Sequence, residues 1–293
     1  SSGARRKFKY FKLMNIETAI KNASLELKSN FLKSPLLDCE LLMSKVLNKD
    51  RKFIILNSKK NLSNDLYCRF KKLVSYRSRG KPIAYLTGFK SFWKYEFCIN
   101  ENVLIPRPDT ELLVEQILKI FKNKNSINFL EIGFGSGCII LSLLKEKTSF
   151  VGKGVDLSND CYKLCKINAN KLGVNNRLKL FKTDIDNFIL GKYDLIVSNP
   201  PYVKNFDLKK LDKDIKAYEP KLALAGGLDG LSSFRKIINK SSELLKKKGK
   251  LILEIAHDQK KEVTDLLIKK KFYINEVVKD LAKNDRCIIC TKI

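Results

Sequence analysis

The sequence is short of several residues on which common functional sites depend. It has one histidine, His257, one tryptophan and two methionines among 293 residues. One Cys-x-x-Cys pair, Cys287 and Cys290, occurs among eight cysteines, and no second pair accompanies it. Because a strand alternates its faces, these two thiols would point to opposite sides. The tetrahedral set of Cys and His ligands that zinc needs is therefore not expected, and no metal site is predicted.

Long apolar runs are also missing. The longest run near the glycine-rich segment is 138–144, which is too short to span a bilayer, and a soluble protein without a membrane partner is expected. The cysteines show no disulfide spacing, and a reducing compartment is expected. Five of them lie in apolar helix or strand patterns typical of reduced buried thiols: Cys39, Cys98, Cys138, Cys287 and Cys290.

Acidic residues are scarce: 31 Asp and Glu stand against 58 Lys and Arg, which gives a net charge of +27. A nucleic-acid surface is one interpretation. However, the cations are mostly lysines spread along the chain, and clusters such as 246–248 and 269–271 fall at predicted helix ends, where cations suit the helix dipole. The charge predicts an affinity for polyanionic surroundings such as ribosomes, with contacts that weaken in salt.

Residues 1–13 are basic and contain no acidic residue, and they lack the apolar core of a secretory signal. Met14 is the expected natural start, with Ser-Ser-Gly at the front an artificial addition. The alternative is a remnant of an organelle transit peptide, whose composition is also basic and poor in acidic residues.

The chain divides into three predicted parts. Residues 14–80 carry apolar residues at helical spacing, with caps at Ser34 and Ser63, and predict a bundle of four or five short helices. Residues 81–105 are rich in aromatics that roughly alternate and predict a β-hairpin linker. Its aromatics are interpreted as interface core, against the alternative of a ligand platform. Residues 106–293 alternate strands with helices and predict a layered α/β domain.

Seven strands are predicted in this third part, at 128–132, 150–155, 178–181, 193–198, 250–255, 272–278 and 286–291. Helices are predicted at 108–121, 137–147, 159–172, 230–247 and 257–270. The sheet should be mostly parallel. Since no helix separates the last two strands, they should form an antiparallel pair at one edge.

A glycine turn, Gly133-Phe134-Gly135-Ser136-Gly137, follows the first of these strands and comes two residues after Glu131. Glycines permit a tight turn and a close approach of the backbone to a ligand. The third glycine of a dinucleotide site and the Lys-Ser/Thr of a Walker site are both missing. The pattern therefore predicts a turn that binds S-adenosylmethionine.

Acidic residues follow the next two strands. Asp156 ends the second strand, about 20 residues after the turn, where a carboxylate can accept hydrogen bonds from ribose hydroxyls. Capping of the next helix is the alternative role, although Ser158 is available for it. Asp184 follows the third strand and is placed to reach the adenine amino group, with Ile185 against the ring. An ordinary turn aspartate is the alternative there.

The tetrapeptide Asn199-Pro200-Pro201-Tyr202 follows the fourth strand on the same sheet edge as the glycine turn. The Asn199 side-chain oxygen and the Pro200 carbonyl could each accept one N–H of a planar NH2 group and hold its nitrogen toward a methyl donor. Tyr202 would stack on that group, and two prolines stiffen the loop. A simple turn after a strand is the alternative. With the glycine turn, the loop indicates methyl transfer to nitrogen.

From Met14 onward the chain resembles the PrmC/HemK family of peptide chain release factor glutamine methyltransferases. The segments that carry this resemblance are 105–111 (Ile-Pro-Arg-Pro-Asp-Thr-Glu), the glycine turn, 199–202, 219–220 (Glu-Pro), 225–231 (Ala-Gly-Gly-Leu-Asp-Gly-Leu), 253–255 (Leu-Glu-Ile) and 284–286 (Asn-Asp-Arg). The resemblance implies a seven-stranded Rossmann-like class I methyltransferase domain with a small N-terminal helical domain that docks the release factor. It implies N5-methylation of the glutamine in a Gly-Gly-Gln motif.

The resemblance also implies roles for single residues. Asn199 and Pro200 would hold the glutamine amide, with Pro201 and Tyr202 beside it. The cofactor would be held by Glu131, Gly133, Phe134, Gly135, Ser136, Gly137, Asp156, Asp184, Ile185 and Asn199. The chain departs from the family where Glu131 and Phe134 replace the usual Asp and Thr, where Ile185 replaces a frequent aromatic, and at Lys94, often a glycine.

Parts of the sequence also fit two other functions. A nucleic-acid methyltransferase acting on exocyclic amines fits the charge and shares the Asn-Pro-Pro-Tyr loop, but the sequence shows no separate target-reading module. A methyltransferase-like binding module without activity is disfavoured by the intact loop and turn. The expected protein is a monomer that acts on release factors rather than nucleic acid. It is expected in the bacterial-type cytoplasm, or in a mitochondrion or plastid for a eukaryotic source.

Overall fold

The computed structural model of the protein describes residues 14–30 and 32–293. The expectations about residues 1–13 therefore lie outside the described residues. Within the described part, the chain divides into two compact units, with the boundary between Thr87 and Gly88. None of the helices formed by the described residues is long and apolar enough to cross a membrane.

The N-terminal unit is helical, as predicted. Its elements are β1 (Met14–Asn15), α1 (Ile16–Ser29), α2 (Pro35–Leu47), α3 (Arg51–Leu56), β2 (Asn61–Leu62), α4 (Asn64–Ser78) and α5 (Ile83–Thr87). The short strands β1 and β2 pair antiparallel. Apolar residues at helical spacing form its core, in which Leu27, Leu42 and Phe70 are fully buried. The pattern of the sequence thus gives a helix bundle with its own core.

The helix starts of this unit confirm one predicted cap and correct another. Ser63 lies in extended backbone, and its hydroxyl accepts a hydrogen bond from Leu66 N at 3.4 Å. Ser34 occupies the cap position before Pro35, but its side chain makes no capping bond. Its ψ of 56° departs from the extended conformation that turns a cap side chain toward the first helical N–H groups.

The second unit opens with the predicted hairpin, formed by β3 (Phe89–Phe92) and β4 (Tyr95–Cys98). Phe92 and Phe97 are buried and meet edge to face at 6.1 Å, which supports the core interpretation for these two aromatics. Helix α5 was missed by the prediction, which placed hairpin or linker from residue 81 onward.

The remaining elements form the α/β fold predicted from the sequence. In chain order they are α6 (Glu111–Ile120), β5 (Asn128–Ile132), α7 (Cys138–Glu146), β6 (Val151–Asp156), α8 (Asn159–Leu172), β7 (Leu178–Lys182), β8 (Tyr193–Ser198), α9 (Lys213–Tyr218), α10 (Ser232–Leu244), β9 (Leu245–Glu254), α11 (Lys260–Lys269), β10 (Phe272–Lys279) and β11 (Asp285–Lys292). In the described chain, seven strands make one sheet in the order β10-β11-β9-β8-β5-β6-β7. β10 and β11 form the predicted antiparallel pair.

Three predicted helices and one predicted strand differ from the structure by more than one residue at an end. The helix expected at 257–270 begins at Lys260, and the strand expected at 250–255 spans Leu245–Glu254 as β9. The helix expected at 230–247 ends at Leu244, because Leu245 begins β9 and pairs with Tyr193 of β8. The helix expected at 108–121 opens with a single 3₁₀ turn, Pro108–Thr110, before α6 begins at Glu111. Pro108 suits this opening because its fixed φ matches a first helical turn.

The order of the sheet decides where a ligand can bind. β5 lies between β6 and β8, and all three run parallel, so their carboxyl ends share one edge. From β5 the chain adds β6 and β7 on one side and then returns to add β8 on the other side. Open α/β sheets bind ligands in the crevice at the point where the strand order reverses in this way. The glycine turn after β5, the end of β6 and the loop after β8 all open there.

Candidate active site

The glycine turn joins β5 to α7 in a left-handed backbone conformation. φ is +74° at Gly133, +54° at Gly135 and +82° at Gly137, which favours glycine at all three positions. A Cβ at Gly133 would meet no atom within 4 Å, whereas one at Gly137 would lie 2.5 Å from Cys165 Sγ. Gly133 therefore leaves open space along the turn, and Gly137 allows α7 to pack closely against α8.

Asp156 supports this turn from the end of β6. Its Oδ2 accepts a hydrogen bond from Gly135 N at 2.9 Å, and its Oδ1 accepts one from Ser158 N at 2.9 Å. Ser158 itself caps α8 by accepting from Cys161 N at 3.3 Å, so the helix does not depend on Asp156 for its cap. Burial raises the pKa of Asp156, while the N–H groups of Ser158 and Gly135 oppose that shift.

Glu131 is almost completely buried, with 1% of its surface exposed. Its Oε2 accepts a hydrogen bond from Ile140 N at 2.8 Å, in the first turn of α7. Because Gly137 caps that helix without a side chain, the Glu131 carboxyl provides the acceptor that a cap residue normally supplies. Burial raises the pKa of Glu131 well above its ordinary value. Phe134 and Ser136 are also buried, so the turn faces its crevice mainly with backbone.

Asn168, a residue that the sequence reasoning missed, fastens the turn to the hairpin. This fully buried side chain on α8 donates to Ser136 O at 2.9 Å and to Cys98 O at 3.1 Å. It also accepts from Cys98 N at 2.7 Å. One carboxamide thus joins three elements, which fixes the backbone of the glycine turn from behind.

The Asn-Pro-Pro-Tyr loop begins beside the glycine turn. Ser198, the last residue of β8, donates its hydroxyl to Ile132 O of β5 at 2.7 Å. Asn199 follows it and is half-buried, and Pro200 is buried. The hydrogen bond between the two strand ends places the predicted substrate loop and the predicted cofactor turn on one edge of the sheet.

A buried hydrogen-bond chain holds the side chain of Asn199. Its Nδ2 donates to Thr110 Oγ1 at 3.0 Å, and Thr110 Oγ1 donates to Glu254 Oε2 at 2.6 Å. Tyr202 donates its hydroxyl to the other oxygen, Glu254 Oε1, at 3.4 Å. Thr110 and Glu254 are 2% and 1% exposed. Sequence reasoning placed both inside family-like segments, 105–111 and 253–255, without giving either a role.

The pairing of β8 with β9 places Glu254 beside Asn199. β8 and β9 are parallel neighbours with Ser198 opposite Leu253, so Asn199 and Glu254 leave their strands at the same level. Burial raises the pKa of Glu254 to about 7, and the Thr110 hydrogen bond and the Arg286 charge act against that rise.

The Tyr202 ring packs against the main core of this unit. Its backbone oxygen accepts a hydrogen bond from Gln259 Nε2 at 3.2 Å, and the same amide donates to Gly230 O at 3.1 Å. Burial raises the pKa of the Tyr202 hydroxyl, so the phenol stays protonated at neutral pH. The end of the loop is therefore anchored, which suits a residue that covers a ligand.

Asp184 and Ile185 follow β7 on the same sheet edge, where Thr183 N donates to Asp156 O at 3.0 Å. Asp184 Oδ1 accepts from Asp186 N at 3.0 Å, and this bond, with the nearby Lys236 ammonium, lowers the pKa of Asp184. Ile185 is 8% exposed and belongs to the core cluster. The structure brings both residues near the crevice edge, and their contacts with a cofactor stay predictions.

An ion pair joins the segment before α6 to Glu219, the residue that follows α9. Arg107 donates to Glu219 Oε1 at 2.5 Å, and Ile105 N donates to Glu219 Oε2 at 3.4 Å. Glu219 is 5% exposed. The segment that carries Thr110 is thereby held against the chain that follows Asn199.

Each of the two units matches a known protein family. Residues 18–88 match the family described as PrmC N-terminal domain, and residues 108–216 match the methyltransferase small domain. A release factor glutamine methyltransferase of Buchnera aphidicola is 39% identical over 93% of this chain and 98% of its own length. The chain belongs to the release factor glutamine methyltransferase family. The resemblance inferred from the sequence is therefore confirmed.

Two other relatives show how much of each protein the chain covers. A release factor glutamine methyltransferase of Clostridium acetobutylicum is 34% identical and is covered over 99% of its length. A bifunctional methyltransferase of Rickettsia conorii is 33% identical over 95% of this chain, but the chain spans only 58% of that protein. A solved methyltransferase from Pyrococcus furiosus, 17% identical, aligns with a TM-score of 0.53 over 76% of this chain and 97% of its own, and confirms the fold.

Proposed function

We propose that this protein transfers a methyl group from S-adenosylmethionine to the side-chain amide nitrogen of the glutamine in the Gly-Gly-Gln motif of release factors. One observation carries the proposal: Asn199 is held through Nδ2 by Thr110, so that its Oδ1 is left to accept from a substrate. The printed names of the full-length relatives support release factors as the substrates.

The residues present fit S-adenosylmethionine. Open space lies beside Gly133, the turn offers backbone rather than bulky side chains, and the Asp156 carboxylate stands half-buried behind Gly135. The proposed cofactor contacts come from Glu131, Gly133, Phe134, Gly135, Ser136, Gly137, Asp156, Asp184, Ile185 and Asn199. When bound, the cofactor supplies an electrophilic methyl group.

The substrate loop orients the nitrogen that accepts the methyl group. An amide nitrogen is a weak nucleophile because its lone pair is delocalised. Asn199 Oδ1 and the Pro200 carbonyl each accept one N–H of the glutamine amide. These two hydrogen bonds orient the amide so that its nitrogen faces the methyl donor. Tyr202 and Pro201 cover the planar group. One N–H proton of the glutamine amide becomes acidic as the new N–C bond forms and is transferred to water. No strong base is therefore required before the methyl transfer.

The N-terminal helical unit, residues 14–80 in the predicted division, is proposed to dock the release factor. Its match to the PrmC N-terminal domain supports this. Bacterial relatives support the proposed cytoplasmic location of bacterial type, with an organelle as the alternative for a eukaryotic source. The monomeric state stays a prediction, which light scattering after size-exclusion chromatography tests.

The test of this function is a methylation assay with labelled cofactor and a recombinant release factor, read by mass spectrometry of the Gly-Gly-Gln peptide. We expect a gain of one methyl group on the glutamine. Asn199→Ala should remove most of the rate, whereas Asn125→Ala, an exposed asparagine before β5, should not. Label found only in total RNA would establish the nucleic-acid alternative, and methylation by Asn199→Ala at the wild-type rate would refute the role of Asn199.

A further inference from the structure

The hydrogen-bond chain behind Asn199 has one direction when Glu254 is ionised, which is its main form above its pKa of about 7. An ionised Glu254 can only accept, so the hydrogen between Glu254 Oε2 and Thr110 Oγ1, 2.6 Å apart, comes from threonine. A hydroxyl has one hydrogen to give, and the Thr110 oxygen can then only accept from its other neighbour. That neighbour is the Asn199 carboxamide at 3.0 Å.

This direction determines which end of the carboxamide faces the substrate. The group that meets Thr110 must be a donor, so it is Nδ2, and Oδ1 is turned the opposite way. A carboxamide turned by 180° would place its NH2 against the NH2 of the glutamine amide. Two donors would then oppose each other, and the substrate nitrogen would lose an acceptor.

We propose that Thr110 and Glu254 are positioning residues that fix the Asn199 carboxamide with Oδ1 toward the substrate amide. The inference rests on the proposed function, since it concerns the acceptor for the glutamine N–H. Neither residue takes a proton or touches the methyl group. Their effect reaches the reaction only through Asn199.

The residues around Thr110 and Glu254 protect the hydrogen bonds between them. Both Thr110 and Glu254 are almost fully buried, so water does not compete for the hydrogen bonds. The second carboxylate oxygen accepts from the Tyr202 hydroxyl at 3.4 Å. Arg286 stands beside this group, donating to Ile255 O at 3.2 Å and to Asp280 Oδ2 at 3.0 Å, and its charge partly offsets the rise in the Glu254 pKa that burial causes.

The local backbone also makes Thr110 rigid. Pro108 sets the 3₁₀ turn that ends at Thr110, and Thr110 N donates to Arg107 O at 3.2 Å. Arg107 is itself tied to Glu219. The hydroxyl is thus presented from a fixed turn, as a positioning group requires.

The experiment compares Thr110→Val, which keeps the shape without the hydroxyl, with Thr110→Ser, which keeps the hydroxyl. Thr110→Val leaves Asn199 in place but free to turn, so we expect kcat to fall about 10- to 100-fold, less than the roughly 100- to 1,000-fold loss typical of removing a direct transition-state donor. KM for the release factor and the dissociation constant of S-adenosylmethionine should stay within about threefold of wild type, and Thr110→Ser should recover most of kcat. Thr264→Val is the matched control, because Thr264 Oγ1 is buried and has no hydrogen-bond partner among the described residues.

A double-mutant cycle separates positioning from a structural role. If Thr110 acts through Asn199, adding Thr110→Val to Asn199→Ala should change the residual rate by less than about twofold, since the target of the positioning is gone. Multiplied effects would overturn the inference, and so would a wild-type kcat in Thr110→Val. If the valine variant fails to fold, as judged by thermal unfolding and cofactor binding, Thr110→Ala enters the same cycle. A wild-type protein that does not methylate the release factor would refute the proposed function instead.

Discussion

Gly135 N donates a hydrogen bond of 2.9 Å to Asp156 Oδ2, joining positions 21 residues apart in the chain. The bond ties the glycine turn after β5 to the end of β6. A backbone N–H in a tight turn has no helix or strand partner of its own, and the Asp156 carboxyl supplies the acceptor for this one. Asp156 therefore shapes the turn in addition to its predicted contact with a ribose.

Removal of this carboxylate should weaken cofactor binding. We expect Asp156→Ala to lose about 1.5–3 kcal/mol of binding free energy, the usual effect of a hydrogen bond to a charged group, or roughly 10- to 150-fold in the dissociation constant. Isothermal titration with S-adenosylmethionine measures it. Asp160→Asn, in the exposed first turn of α8, is the control. Equal affinity in both variants would contradict the role of Asp156.

Glu131 should make the stability of the protein depend on pH. Its folded-state pKa lies well above the ordinary 4.5, so the folded protein binds more protons than the unfolded chain. The free energy of unfolding should then fall as the pH rises above about 4.5. Glu131→Gln removes this titration and can still accept from Ile140 N, so its stability relative to wild type should increase from pH 5 to pH 8.

Urea unfolding without cofactor, repeated across that pH range, measures the difference. Glu115→Gln on the exposed side of α6 provides the control and should follow wild type at every pH. Glu254 also has a raised pKa and contributes the same sign to both proteins, so it cancels in the comparison. Parallel curves for wild type and Glu131→Gln would show that Glu131 does not titrate as expected.

Elements with strong local signals were predictable from the sequence. β5 and β8 have the predicted bounds because each is a buried apolar run that ends at a clear break. α8 also matches, since Ser158 caps its start and Gly173 ends it with φ of +69°. In contrast, the apolar pattern of α10 continues into Leu245, and only pairing with Tyr193 makes that residue a strand.

The active site was predictable only where its residues are close in sequence. The glycine turn and the Asn-Pro-Pro-Tyr loop are contiguous, so residue type and order were enough to suggest their chemistry. The hydrogen bond between Thr110 and Glu254 joins positions 144 residues apart. No local pattern indicates such a pair, because the contact exists only once β9 lies beside β8 and the turn before α6 closes over them.

Tyr202 should act through its ring more than through its hydroxyl. The hydroxyl meets Glu254 Oε1 at a long 3.4 Å, whereas the ring packs against the core beside the loop. We expect Tyr202→Phe to keep kcat/KM for the release factor within about threefold of wild type, and Tyr202→Ala to lower it at least about tenfold. Tyr273→Ala, an exposed ring on β10, is the control. Similar losses in the Phe and Ala variants would show that the hydroxyl is the essential group.

The N-terminal unit should depend on the ion pair between Asp38 of α2 and Arg77 of α4. Arg77 Nε lies 2.7 Å from Asp38 Oδ2, and the two side chains are 13% and 7% exposed. Asp38→Ala leaves the guanidinium buried without its carboxylate, and we expect a loss of about 3–5 kcal/mol in the free energy of unfolding of this unit. Glu17→Ala removes the exposed pair with Lys59 and should leave the free energy of unfolding nearly unchanged, because water and salt screen exposed ion pairs.

A double variant distinguishes loss of the attraction from the penalty of an unpaired buried charge. In Asp38→Leu with Arg77→Met, apolar groups replace both partners, and at least half of the stability lost in Asp38→Ala should return. Urea unfolding gives the stabilities, and titration with S-adenosylmethionine should show unchanged affinity, because every proposed cofactor contact lies after Gly88. A double variant no more stable than Asp38→Ala would mean that the attraction between the two charges, rather than the isolated cation, accounts for the loss.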